Sequence, residues 1–288
     1  MKNFTLKKQK KTLLKSILKE LNVFFKKFYW FFYTNIKYFL RTYVVSQKRN
    51  DNNKISILII TKNRSKMFEE TLNTIESNTN NLDKLEILVL IDVEETEKKK
   101  YQKIVNNKNM KLDIKLIIKD IKKNTSKINY LSKLSSGYLL FGCTDDMYLV
   151  KNWDIFINYE ANKFKIEEPF CIWNKEIGFK YPYLHSNSII INKTWFKKCG
   201  FYLSESFYHY FADNWLCDIC RSSGKFIITK NFIWKHENPI WSHDKENNNI
   251  IPDKTSIDLL KKTEIYDEKK IYREIQSTKK EIIKKLNS

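Results

Sequence analysis

Three short runs in this chain are almost wholly apolar, and each stops abruptly at a polar cluster. Ile55-Ser-Ile-Leu-Ile-Ile60 gives way to Thr61-Lys-Asn-Arg64, Leu85-Glu-Ile-Leu-Val-Leu-Ile91 ends at Asp92, and Gly137-Tyr-Leu-Leu-Phe-Gly-Cys-Thr144 ends in Asp145-Asp146. A strand solvated on one face alternates apolar and polar residues, whereas one buried on both faces reads as a continuous apolar run. The intervals carry helical spacing. Phe68, Leu72 and Ile75 share one face between Met67 and Glu76, and Lys98 to Val105 and Ile128 to Leu134 are further helical stretches. Ile114 to Ile118 reads as another short strand. Strands alternating with helices in this way predict an α/β fold, a mostly parallel central sheet with helices on both faces.

The ends of the runs matter for function, because open α/β sheets bind ligands outside the carboxyl ends of their strands. Asp145 and Asp146 fall at such an end. Adjacent carboxylates repel unless a cation, donors or water separate them. That points to a divalent-cation site for a phosphate-bearing ligand. The competing reading is a solvated turn, where Asp-Asp pairs are common.

The second half is less regular. Trp153 to Lys163 has the character of a helix, Phe170 to Asn174 and Ser188 to Ile191 of strands around a loop with Tyr181, Pro182 and His185. Thr194 to Cys199 and Asp213 to Ser222 read as helices closed by Gly200 and Gly224. Lys225 to Thr229 and Phe232 to Lys235 read as two strands, the second reaching His236. Residues 255–288 form a charged helical tail, a third section after residues 1–50 and a central domain over 54–250.

Residues 1–50 hold eleven Lys and two Arg against one Glu, +12 of the total +20. Basic character therefore belongs to this segment rather than to the whole chain, which argues against a nucleic-acid partner for the fold. Leu14, Leu18, Leu21, Phe25, Phe28, Phe32 and Phe39 recur at a helical period, eleven aromatics lie between Phe24 and Tyr43, and the longest charge-free run, Phe28 to Ile36, has nine residues. That is short of the ~20 needed to span a bilayer. The expectation is an amphipathic helix on an anionic membrane surface, with packing on protein as the alternative. Five cysteines without framework spacing, including a lone Cys217-x-x-Cys220, predict reduced thiols of a cytoplasmic protein.

Taken in order, these segments resemble nucleotide-sugar-dependent glycosyltransferases of the GT-A fold, family 2 type. Ile55 to Arg64 is similar to that family's opening strand with its Thr-x-Asn-Arg-like turn, and Leu85 to Asp92 to its second strand, whose closing Asp contacts the nucleobase. Gly137 to Asp146 resembles the strand of the DxD motif, and Asn152-Trp-Asp154 a Trp-Asp found in one subgroup. His209-Tyr-Phe-Ala-Asp213 and Trp234-Lys-His-Glu-Asn-Pro239 resemble the acceptor-side Asp segment and the late His-x-x-Pro segment. Two departures stand out: Cys143-Thr-Asp-Asp lacks a third acidic residue, and Asp92-Val-Glu-Glu replaces the usual Asp-x-Gly-Ser.

The resemblance implies a metal-dependent transfer, inverting at the sugar, from a nucleoside-diphosphate sugar (a UDP-sugar is the expected donor) to a hydroxyl of a glycan or lipid-linked glycan. Asp146 and His236 would ligate Mn²⁺ or Mg²⁺, and Asp145 would hold the ribose or a metal-bound water. Thr61, Arg64, Asp92 and Lys127 complete the expected donor contacts, and Asp213 is the candidate general base. An aromatic setting that raises its pKa would suit that role; a helix N-cap is the alternative for Asp213. With residues 1–50 on anionic lipid, the enzyme would be peripheral on the cytosolic face. Two other classes compete. A nucleotidyltransferase would want a glycine-rich phosphate loop, which Thr61-Lys-Asn-Arg-Ser65 does not supply. A non-enzymatic membrane- or nucleic-acid-binding protein would use the aromatics and lysines directly.

Overall fold

The computed structural model describes residues 53–177, 186, 188–236, 267 and 269–288. The basic segment 1–50, the loop with Tyr181, Pro182 and His185, and residues 237–266 lie outside them. The apolar runs are strands: β1 (Ile55–Ile60), β2 (Leu85–Ile91), β3 (Ile114–Ile118) and β4 (Leu139–Thr144). Then come β5 (Met147–Leu149), β6 (Cys171–Ile177), β7 (Ile189–Asn192) and β8 (Phe226–His236). One eight-stranded sheet contains them all in the order β3-β2-β1-β4-β7-β6-β8-β5. β1 pairs in parallel with both β2 and β4, and β2 with β3, while β7 is antiparallel to β4 and β6. β8 runs parallel to β6 and antiparallel to β5.

Helices α1 (Ser65–Asn78) and α2 (Lys98–Val105) make the first two crossovers, and α3 (Asn124–Leu134) returns the chain past β1 to β4. Strand order therefore reverses between β1 and β4, so the crevice at the carboxyl ends of these two strands is the topological switch point. Alternation along the strands splits the core into two layers. Leu58, Leu88, Leu90 and Leu140 pack with Ile128 and Leu131 of α3. On the other face Phe141 meets Trp153 of α4 (Trp153–Ala161), and Phe68 of α1 meets Tyr101 of α2. Each such side chain removed from water contributes about 1.5–3 kcal/mol.

Helices α5 (Lys193–Cys199) and α6 (Ala212–Ser223) extend the first layer, covered by residues 269–274, which are helical, and by α7 (Lys279–Asn287). Cys171 and Cys217 belong to this core, where burial pushes both thiols up and away from thiolate chemistry. No helix among the described residues is long and apolar enough to cross a membrane.

Some elements differ from the sequence expectation. β5 is three residues long and directly follows the carboxylate pair, too short to leave a periodic signal. The two strands expected over 225–235 are one strand, because the polar Lys230-Asn231 sits opposite an irregular register in β6 and does not end the pairing. α3 starts at Asn124 rather than Ile128: its first turn is polar and is held by other segments.

Candidate active site

Each polar cluster of the sequence lies at the carboxyl end of its strand, and β1, β2 and β4 are neighbours, so the clusters converge. Asp145 and Asp146 form the turn between β4 and β5 and are only 3% and 5% exposed. Three groups hold Asp145. Thr61 Oγ1 donates to its Oδ2 (2.6 Å), Arg64 Nη1 to its Oδ1 (3.1 Å), and Thr71 Oγ1 to its carbonyl oxygen (2.7 Å). Asp146 accepts from Thr144 Oγ1 (2.5 Å), and its Oδ2 lies 3.6 Å from the same Arg64 Nη1. Burial pushes the Asp145 carboxyl above its ordinary range, against the pull of the Thr61 hydrogen bond and the Arg64 charge, with the Asp146 charge adding to the rise.

The turn that delivers Thr61 and Arg64 is fixed from below. Asn63 takes a left-handed conformation (φ 54°), which an asparagine tolerates. Tyr101 is fully buried, and its hydroxyl lies 2.8 Å from Thr61 Oγ1 and accepts from Arg64 N (2.9 Å). The loop after β2 supplies two more clamps: Glu95 accepts from Asn63 N, and Glu97 from Ser65 N at the start of α1. Hydrogen bonds from Lys100 and Ser65 hold the Glu97 carboxyl down at about 2. Within Asp92-Val-Glu-Glu, where the resembled family has Asp-x-Gly-Ser, Glu95 thus pins the turn after β1.

Asp92, at the end of β2, faces two lysines. Lys127 Nζ of α3 stands 2.6 Å from its Oδ1, close but not angled as a hydrogen bond, and Lys62 Nζ is 3.8 Å from its Oδ2. Lys127 is only 6% exposed, so it is a built-in cation rather than a solvated surface lysine. The first turn of α3 also holds the segment before α6: Asn124 N donates to Tyr208 O, Asn124 Nδ2 to His209 Nδ1, and Thr125 Oγ1 to Phe207 O.

Asp213 is the second residue of α6, so Phe211 rather than Asp213 takes the N-cap position. Its carboxylate accepts from Asn214 N (2.9 Å). Phe211 is left-handed at φ 60°, a conformation that a bulky side chain rarely adopts. Strained backbone of this kind costs on the order of 1–3 kcal/mol and concentrates at functional positions. The main chain of His236 pairs opposite Met147, one residue beyond Asp146; its side chain lies outside the described residues.

Thr61, Arg64, Asp145 and Asp146 thus make one connected cluster, Asp92 and Lys127 a second beside it, and Asp213 stands on a separate helix tied to α3. Tyr101 and Glu95 were not anticipated. Tyr101 falls inside the expected helix Lys98 to Val105, and Glu95 in the Asp92-Val-Glu-Glu departure, without a role assigned to either. Asn152-Trp-Asp154 acts elsewhere. Trp153 Nε1 donates to Thr79 Oγ1, and Asp154 accepts from Asn80 N and Asn81 N, so the motif clamps the connection into the amino end of β2.

A cation fits the carboxylate pair: two buried carboxylates share one guanidinium nitrogen, and that nitrogen marks where positive charge is bound. Among the described residues no group of three or more His, Cys, Asp or Glu side chains could hold a metal ion.

No protein-family model and no curated protein sequence matches the chain. Solved structures do match. The mannosyltransferase PcManGT from Pyrobaculum calidifontis, in complex with GDP-Man and Mn2+, is similar with a TM-score of 0.54 at 12% identity, covering 71% of this chain and 65% of that one. S. aureus TarS is similar with a TM-score of 0.50 at 13% identity, covering 64% of this chain and 36% of that one. The fold is that of the GT-A glycosyltransferases. The matched part spans just under two-thirds of the mannosyltransferase and about a third of TarS. In this GT-A fold the β1–β4 crevice carries Thr61, Arg64 and the carboxylate pair, and β2 brings Asp92 to its rim. At such identities the likeness speaks for architecture, and function is argued from the site itself.

Proposed function

We propose that the protein is a metal-dependent glycosyltransferase using a nucleoside-diphosphate sugar, with a UDP-sugar as the expected donor. The acceptor is a hydroxyl of a glycan or lipid-linked glycan, and the transfer inverts the anomeric centre. The observation that carries this reading is the buried Asp145-Asp146 pair at the sheet's switch point, bridged by one arginine and closed by Thr61. Two buried carboxylates side by side are costly and serve no packing purpose, whereas they suit a cation-dependent diphosphate site.

Bound Mn²⁺ or Mg²⁺ would supply Lewis-acid stabilisation of the departing diphosphate, with Asp146 and His236 as its ligands. Arg64 pairs with phosphate oxygens. Asp92, oriented by Lys127, meets the nucleoside, and Asp145, held by Thr61, faces the ribose or a metal-bound water. Asp213 takes the proton of the acceptor hydroxyl as its oxygen bonds to the anomeric carbon. The bond to the diphosphate breaks with its electron pair leaving on oxygen. Residues 1–50 would hold the enzyme on the cytosolic face of an anionic membrane.

Tryptophan fluorescence tests the donor site. Titration with UDP and GDP in the presence of Mn²⁺ is expected to saturate for the native chain and to fail for Asp146→Ala. Nucleotide binding that ignores both the metal and Asp146 would remove the metal role, and no nucleotide binding would remove the transferase reading.

A further inference from the structure

We infer that Arg64 is the resident cation of the Asp145-Asp146 pair and yields that position when a nucleoside diphosphate and a divalent metal bind together. The inference rests on the transferase reading above. One nitrogen, Nη1, lies 3.1 Å from Asp145 Oδ1 and 3.6 Å from Asp146 Oδ2, so it stands between the two carboxylates where a shared cation would be. A second cation at that point would meet the guanidinium charge at close range. While Arg64 stays, metal binding to the carboxylates is opposed.

The residue is built to move at one end only. Its backbone N–H is held by the buried Tyr101 hydroxyl, and the turn is braced by Glu95 and Glu97. Its side chain, however, is 53% exposed, while the carboxylates are buried. A guanidinium has a ready alternative partner in a diphosphate, whose oxygens match its fork of donors. Leaving Asp145 and Asp146 for the diphosphate exchanges one set of charge-assisted contacts for another and takes the guanidinium charge away from both carboxylates. Metal and nucleotide affinity are then coupled through one side chain, and the coupling must be reciprocal.

Mn²⁺ alone is the probe, titrated into the full chain and followed by the electron-spin-resonance signal of the free ion. Native protein is expected to bind Mn²⁺ weakly without nucleotide and at least tenfold more tightly with UDP or GDP. Arg64→Gln is expected to bind Mn²⁺ alone at least tenfold more tightly than native, with most of the nucleotide coupling gone. Arg64→Met, neutral and of similar length, serves if the first variant does not fold. Unchanged or weaker Mn²⁺ binding in a folded Arg64 variant overturns the inference. So does tighter binding that survives Asp146→Ala, since the ion would then sit elsewhere. If no nucleotide binds any variant, the transferase reading falls and the nucleotide-driven exchange falls with it. Normal nucleotide binding with no gain for Mn²⁺ overturns the exchange alone.

Discussion

Thr61 Oγ1 donates to Asp145 Oδ2 across 2.6 Å, closing the carboxyl ends of two adjacent parallel strands with one hydrogen bond. The direction of the surrounding bonds follows from it. Thr61 has a single proton, and an ionised Asp145 can only accept, so that proton is spent there. The Tyr101 hydroxyl, which accepts from Arg64 N, must then donate to Thr61. A one-way chain runs from the Arg64 backbone through Tyr101 and Thr61 to the carboxylate.

Tyr101→Phe cuts this chain in the middle. The ring contact with Phe68 stays, while Arg64 N–H and a Thr61 lone pair lose their partner. A buried polar group left unmatched costs about 1–3 kcal/mol. Urea denaturation is expected to show a loss of that size, and nucleoside-diphosphate affinity to fall about tenfold because the Arg64 root loosens, a factor equal to ~1.4 kcal/mol. Lower stability with unchanged nucleotide affinity would make Tyr101 a core residue only.

Gly137→Ala is expected to destabilise the fold by about 1–3 kcal/mol or more. A Cβ there would lie 2.3 Å from Ser56 Oγ and 2.6 Å from Ser56 N, against the backbone of β1, which cannot yield. At Gly142 the nearest atom would be the Tyr202 hydroxyl at 3.1 Å, the end of a side chain. The midpoint of urea unfolding should therefore fall further for Gly137→Ala than for Gly142→Ala, with the m-value unchanged in both.

The same corner of the sheet predicts a pH dependence. Burial pushes the Glu86 carboxyl up, but hydrogen bonds from Ser56, Ser136 and Gly137 outweigh it and leave the group below its ordinary value. A carboxyl with a depressed folded pKa contributes stability that is fully present above its unfolded value, ~4.3. That contribution is lost as the pH falls through the lower folded value. Glu86→Gln should be less stable than native at pH 7, and the gap should narrow below pH ~4.3. A gap that stays constant with pH would mean that Glu86 acts through shape alone.

How much of this was legible beforehand varies with the kind of signal. Thr61, Asp92, Asp145 and Asp146 could be placed together from the sequence, because a fully apolar run reports a buried parallel strand and its first polar residue reports the strand's end. Glu86 could have been found the same way: a lone carboxylate inside Leu85 to Ile91 must have partners if the strand is buried. Tyr101 could not, since its position shows only that the ring is apolar and says nothing of where the hydroxyl goes. Lys127 was one basic residue among 53 by composition, and only the return of α3 past β2 brings it onto Asp92.

The segment after residue 266 carries a consequence for Asp213. Tyr272 reaches α6 twice. Its ring lies 6.1 Å from that of Phe211, the left-handed residue that opens the helix, and its hydroxyl donates to Asp218. Burial and the Asp218 carboxylate push the phenol up to about 12, so it stays a donor across the working pH range. Ile282 and Leu286 fasten the segment to the same core. If Asp213 is the general base, Tyr272 acts as a positioning residue for it through the N-terminal turn of α6. Tyr272→Ala is then expected to lower kcat several-fold with the donor KM nearly unchanged, because the β1–β4 crevice is untouched. Tyr272→Phe, which keeps the ring, should recover most of the loss. Asp218 still has Arg221 at 2.8 Å in either variant, so no carboxylate is stranded and the comparison isolates the Phe211 contact. A rise in donor KM at constant kcat would instead tie α6 to donor binding and take the base role from Asp213.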